Sequence, residues 1–426
     1  MALADRAVAD DLRAAYRART PRSAAMFERA TAVLPGGSTR TTTFAPPYPP
    51  YLDSGAGIHV RDVDGNDYRD FLGNYTSLIL GHAHPDVVRA VEAQARRGSA
   101  FGAPSEAEVA LAEELVGRID SVERIRFTNS GTEATMFAIR AARAATGRAV
   151  VGVFERAYHG THDTVVAGSP GVPPTVGDLV VTLPWDDLDG VERAIAGRDA
   201  DLAAIVIEPI QGAGGVRAAS RALLEGLRDI CDRIGALLIF DEIIAFRAAP
   251  GGAQSLVGVR PDLTTLGKII GGGYPLAAFG GAAEVMDRFD ARRAGALTHG
   301  GTFNGNPVAA AAGLATLARL TPDVYADLDR QAVRLRDGVA DRAARAEAGV
   351  RVAVAASLFQ VRLGQETAAS AVSTGAGPAE LFVRLLLAGF YLAPRGLGAI
   401  ATPATDVDVD ELAAAIVEAA VAIGPG

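Results

Sequence analysis

Ala236-Leu237-Leu238-Ile239-Phe240-Asp241-Glu242 is an unbroken apolar run that ends in two acids, and its reading decides the fold. A run of this length without polar alternation is the pattern of a strand covered on both faces, as in a parallel sheet. Val150–Phe154 and Leu202–Ile207 repeat it, with alanine-rich helical segments between them. From about Pro85 to Ala311 this alternation predicts an α/β fold built on a mostly parallel sheet. Asp241 and Glu242 then stand at the carboxyl end of a buried strand, where such sheets keep their ligands.

Outward from this core the pattern changes. The chain up to Leu34 reads as helix, interrupted at Thr20-Pro21 and ended by Pro35-Gly36-Gly37, and Pro46-Pro47-Tyr48-Pro49-Pro50 continues it as an extended arm. Ile58 to Tyr68 alternates apolar and polar residues around Asp64-Gly65, a hairpin signature. After Asp323 a helix runs to about Ala346, strands follow near Val350–Val354 and Leu358–Leu363, and a helix from Asp410 to Ala422 closes the chain. The expected division is an N-terminal helix, arm and small antiparallel sheet over 1–75, a large domain over 76–312, and a smaller C-terminal α+β domain over 313–426.

The 426 residues are 49% hydrophobic and 21% charged, a composition that folds, and the net charge of −9 argues against nucleic acid or an anionic membrane as partner. A small molecule is the expected partner. Cys231, the one cysteine, sits in an apolar context and reads as structural. No signal-peptide pattern and no long apolar span occur, so a soluble cytoplasmic protein is expected.

Several segments converge on one ligand. Asn129-Ser130-Gly131-Thr132-Glu133-Ala134 follows the strand Ile125–Thr128 and opens a helix, so its amides and hydroxyls suit a phosphate, although Ser130 alone also reads as a plain N-cap. Asp241 can pair with a protonated ring nitrogen; its alternative is a helix cap or ion pair. Lys268, in Thr264-Thr265-Leu266-Gly267-Lys268-Ile269-Ile270-Gly271-Gly272-Gly273, sits among apolar residues that desolvate its ammonium and suit it to Schiff-base chemistry. Tyr158 follows Val150–Phe154 and can stack on a planar heterocycle, or else fill the core. Glu208 and Gln211 close a further strand and suit a ring hydroxyl. His82, His84, His159 and His162 lack the partners and spacing of a zinc site and read as structural, so no metal is expected. No Gly-x-Gly-x-x-Gly opens a βαβ unit, which sets a dinucleotide aside.

With these residues in hand, the chain resembles the class III, fold-type I pyridoxal-phosphate aminotransferases, in the branch of glutamate semialdehyde aminomutase and the β-amino-acid aminotransferases. The likeness runs from Phe27-Glu28-Arg29 and Leu34-Pro35-Gly36-Gly37 to Pro394-Arg395-Gly396. It is most specific at Phe127 to Ala134, Glu208 to Gly212, Phe240 to Glu242, Asp262 to Lys268, Ala278 to Gly281, and Gly301-Thr302-Phe303-Asn304-Gly305-Asn306-Pro307. The resemblance implies a seven-stranded, mostly parallel sheet and pyridoxal 5'-phosphate bound covalently to Lys268. It further implies Asp241 at the ring nitrogen, Ile243 and Tyr158 on the two ring faces, and Ser130, Gly131 and Thr132 at the phosphate. Thr302 would complete that phosphate site from the partner subunit of a homodimer. Ile244 stands where many ω-aminotransferases have a glutamine near the ring hydroxyl, which places the chain in the aminomutase branch; Gln211 is the candidate to supply that contact.

For the substrate, a carboxylate in a dry pocket wants a bidentate arginine. Arg40, in Pro35-Gly36-Gly37-Ser38-Thr39-Arg40, and Arg395, in Ala393-Pro394-Arg395-Gly396, are spaced as in aminotransferases acting on 3-amino-3-phenylpropanoate, with Tyr75 and Phe44 lining the apolar side. The expected reaction is transfer of the amino group of a β-amino acid to 2-oxoglutarate or pyruvate. An intramolecular aminomutase of the glutamate semialdehyde type, or an aminotransferase on another biosynthetic substrate, is the alternative.

Overall fold

The computed structural model describes residues 8–364 and 376–424. The chain divides into two compact units, Pro85–Tyr325 and the pair of segments Met1–His84 with Ala326–Gly426. The first and last segments thus share one unit. The physical reason is a strand pairing that residue order hides: Phe390–Tyr391 joins Asp67–Asp70 in parallel, extending the hairpin His59–Asp62/Asp67–Asp70.

In the Pro85–Tyr325 unit, seven strands lie in the order Arg124–Thr128, Ala277–Gly281, Leu263–Leu266, Leu237–Asp241, Leu202–Ile207, Val150–Phe154, Val180–Leu183. Ala277–Gly281 is antiparallel to both neighbours and the remaining pairs are parallel. Alternate residues feed two cores, as the strand period of two requires. Leu238 and Phe240 pack with Leu224, Leu227 and Cys231 of the helix Arg221–Ile234 on one face. Ile239 packs with Ala138 and Ala142 of the helix Gly131–Thr146 on the other. Both helices begin at a serine whose Oγ accepts an amide of the first turn, Ser220 and Ser130, and end at a left-handed glycine, Gly235 and Gly147. The two-sided burial of Leu202–Ile207 explains why its sequence carries no polar alternation.

In the other unit, Leu12, Tyr16, Tyr48, Val60, Tyr68, Phe382 and Leu386 form a core. A second sheet orders Val350–Ala355, Leu358–Leu363 and Leu397–Ala399. Gly73-Asn74-Tyr75-Thr76 is the least ordinary backbone here, with φ of 54°, 49°, 54° and 74° in succession. For a residue with a side chain the left-handed conformation costs about 1–2 kcal/mol. It persists because Asp70 Oδ1 accepts the amides of Leu72 and Gly73 while its Oδ2 faces His82 Nε2. Among the described residues no helix is long and apolar enough to cross a membrane, and no group of His, Cys, Asp and Glu is arranged to hold a metal ion.

Candidate active site

The strand ends Leu237–Asp241 and Leu263–Leu266 are in register with Asp241 opposite Thr265, which brings Lys268 close behind Asp241 along the same edge. Asp241 is buried and held from three sides. Its Oδ1 accepts Thr265 Oγ1 at 2.9 Å and the Ile243 amide at 3.1 Å, and its Oδ2 meets His159 Nδ1 at 2.7 Å. Lys268 opens a short turn at φ 52°, a conformation that a lysine adopts only under tertiary constraint. Desolvation pulls its pKa below the ordinary lysine value, and the Arg247 cation pushes the same way, against the opposing pull of Asp241 and Glu208. A lysine so placed loses its proton more readily than one in water.

Glu208 is buried beside this pair. Burial pushes its carboxyl up to about 7, with His159 and the amides of Tyr158 and Gly212 pulling the other way. The Tyr158 amide bond to Glu208 Oε2 is 3.0 Å and fixes the loop from which the half-exposed Tyr158 ring projects. Next to it, the His159 carbonyl is pinned by Thr135 Oγ1 at 2.6 Å. Gly160, at φ 96°, lets that loop lie on Thr132; a Cβ there would stand 2.5 Å from Thr132 Oγ1.

At the helix Gly131–Thr146 the first intrahelical bond is Ala134 N to Ser130 O, and Ser130 Oγ takes the Glu133 amide. The amides of Gly131 and Thr132 therefore lie in the turn whose donors have no intrahelical acceptor. The Ile243 side chain fills the space between two glycines: an added Cβ would meet it at 2.7 Å from Gly131 and 3.3 Å from Gly267. Ile244 packs onto Gly212. Strand edge, loop and helix end thus bring Ser130, Gly131, Thr132, Glu208, Asp241, Ile243 and Lys268 into one neighbourhood.

The structure gives two further expected residues their surroundings. Gln211 is buried and spent on the framework: its Nε2 donates to the Glu155 carbonyl at 2.9 Å, and its Oε1 accepts Arg217 at 2.6 and 3.1 Å. The short hairpin Ile210–Gln211/Arg217–Ala218 brings Arg217 to it, an outcome of pairing that residue type alone does not reveal. Thr302 lies on an exposed loop that Asn304 ties to Asn129 at 2.8 Å. In the other unit Arg40 and Arg395 are exposed, Tyr75 is partly buried, and Phe44 packs on Phe27.

His159 and Thr265 are the residues that sequence reasoning passed over. His159 read as structural because a histidine next to a candidate aromatic carries no signal of its own. Only the pairing of strands from distant parts of the chain sets it behind Asp241. Its pKa, which burial would lower, is raised above the ordinary value because Asp241, and Glu208 more weakly, favour the charged ring.

The sequence matches the Aminotransferase class-III family over residues 45–419. The glutamate-1-semialdehyde 2,1-aminomutase of Anaeromyxobacter sp. (strain Fw109-5) is 40% identical, the alignment covering 92% of this chain and 96% of that one. Among solved structures, an omega-transaminase from Sphaerobacter thermophilus is 41% identical with a TM-score of 0.91, covering 94% of this chain and 97% of that chain. The beta-phenylalanine aminotransferase from Variovorax paradoxus is 34% identical with a TM-score of 0.89, covering 96% and 95%. The chain belongs to the class III aminotransferases, fold-type I enzymes that use pyridoxal phosphate to move amino groups.

Proposed function

We propose that this enzyme moves the amino group of a carboxylate-bearing substrate, with Lys268 as the residue that holds the cofactor and shuttles the proton. The observation that carries the reading is Lys268 itself, desolvated, held at φ 52°, and three residues beyond Thr265, the register partner of the buried Asp241. Pyridoxal phosphate fits the residues around it. Asp241 offers a fixed carboxylate to a ring nitrogen, and the Gly131 and Thr132 amides, without intrahelical acceptors, offer donors to a phosphate.

The bound cofactor supplies an electron sink for the carbon that carries the amine. Asp241 would keep the ring nitrogen protonated, Ile243 and Tyr158 would hold the two ring faces, and Ser130, Gly131 and Thr132 would bind the phosphate. Thr302 would reach the phosphate of a second copy, which makes a homodimer part of the proposal. Lys268 Nζ, as a neutral amine, would move the proton between the substrate carbon and the cofactor's C4' carbon.

We assign Arg40 and Arg395 to carboxylates of a β-amino acid donor and of 2-oxoglutarate or pyruvate as acceptor, with Tyr75 and Phe44 on the apolar side. The loop spacing around the two arginines and the likeness to a beta-phenylalanine aminotransferase support this. A second reading, intramolecular amino transfer on glutamate 1-semialdehyde, has the stronger backing among curated relatives, whose recurrent name it is. Both substrates carry a carboxylate, so both need an arginine. Turnover of glutamate semialdehyde without any keto acid would establish the mutase and sink the transferase. Strict dependence on 2-oxoglutarate or pyruvate, with 3-amino-3-phenylpropanoate as donor, would do the reverse.

A further inference from the structure

Gly73 to Thr76 hold four successive left-handed φ values, and Asp70 accepts the amides of Leu72 and Gly73 at the start of the run. Backbone in this conformation is rare for residues with side chains and rarer still for a β-branched one such as Thr76. Runs of this kind persist where function needs the side chains aimed in a direction that ordinary backbone does not give. Here the side chains aimed are Asn74 and Tyr75, and both meet the segment that carries Arg40. Arg40 Nη1 donates to Asn74 Oδ1 at 2.9 Å. The Arg40 guanidinium carbon lies 5.5 Å from the centroid of the Tyr75 ring. The Tyr75 hydroxyl donates to the Thr42 carbonyl, fastening the turn Thr41–Thr43 that follows Arg40.

We propose that Asn74 is a positioning and specificity residue that fixes the Arg40 guanidinium for a substrate carboxylate. This rests on Arg40 receiving that carboxylate. The chemistry favours an amide at this place. A guanidinium has five N–H donors in a rigid fork, so giving one to Asn74 and one face to Tyr75 orients the plane while an edge stays available for two parallel bonds to a carboxylate. Asn74 Oδ1 is a neutral acceptor, so it restrains the arginine without cancelling the charge that attracts the substrate. Asparagine is also the residue with a side chain that tolerates φ of 49° best. Aspartate would restrain equally and spoil the attraction; glycine would suit the backbone and release the arginine.

Three variants test this on the cofactor-loaded enzyme: Asn74→Gly, Asn74→Asp and Arg40→Ala. The probes are 3-phenylpropanoate and pentanoate, which have a carboxylate and no amine. The readouts are their inhibition constants, the same constants from the change in cofactor absorbance on binding, and the split between KM and kcat for the carboxylated donor. Loss of one hydrogen bond to a charged group corresponds to about tenfold or more in affinity. Asn74→Gly should raise both inhibition constants about tenfold, with the change in turnover falling on KM rather than kcat. Asn74→Asp should weaken them further although it keeps the acceptor, because a second carboxylate then competes for the guanidinium. If Arg40→Ala weakens the probes but both Asn74 variants bind them as the parent does, the positioning role is overturned and the role of Arg40 stands. If Arg40→Ala binds them unchanged, the carboxylate role of Arg40 is overturned, and the positioning role with it.

Discussion

Replacing His159 with leucine removes the partner of the carboxylate on which the site is built. His159 Nδ1 and Asp241 Oδ2 are 2.7 Å apart, with each side chain 2% exposed. Breaking a buried pair by removing one partner costs about 3–5 kcal/mol. Thr265 and the Ile243 amide still hold Oδ1, which places the loss near the lower end, about 3 kcal/mol. At roughly 2–4 °C per kcal/mol for a domain of this size, the unfolding midpoint should fall by about 6–12 °C. The pH dependence has a definite sign. The folded-state pKa of His159 lies above its unfolded value because Asp241 outweighs burial. The stability it contributes is then complete below about pH 6.5 and is lost as the pH rises through the folded value. The gap in midpoint between parent and variant should therefore be widest in mild acid and shrink toward alkaline pH. Thermal melts followed by circular dichroism across that range, with and without cofactor, measure it. His159→Asn offers a donor to the same oxygen without titrating, and should recover part of the midpoint with a flat pH profile. Equal midpoints for parent and leucine variant throughout the range would refute the charged-pair reasoning.

Lys268→Ala should abolish both turnover and the visible absorbance of lysine-bound cofactor; a yellow, active variant would overturn its assignment. Gly131→Ala would set a Cβ 2.7 Å from Ile243 Cδ1, a contact that the end of a flexible side chain can relieve only by moving. The fold should survive, while cofactor affinity measured by absorbance titration falls about tenfold, or ~1.4 kcal/mol. Gln211→Leu should lower the melting midpoint, because it removes an acceptor of the buried Arg217 at a cost of about 1–3 kcal/mol, and should leave the cofactor spectrum unchanged. A shifted spectrum would return Gln211 to the ring.

The mostly parallel sheet was legible from residue order because two-sided burial leaves a local mark: Leu202–Ile207 is apolar throughout, and Leu237–Asp241 is apolar up to its final acid, since neither face meets water. Lys268 and Asp241 were legible for a related reason. A charge set inside an apolar run is costly, so it stands out against its neighbours whatever the fold. Tertiary structure alone decided everything that depends on pairing between distant segments. Phe390–Tyr391 joins the N-terminal hairpin, Gln211 accepts from Arg217, His159 stands behind Asp241, and Asn74 takes hold of Arg40. Hydrogen bonds between side chains leave no periodic trace in a sequence, because their partners are chosen by strand register and loop closure and not by the residues beside them. The sequence by itself therefore determined which chemical groups line this enzyme's strand ends; the fold decided which of them touch.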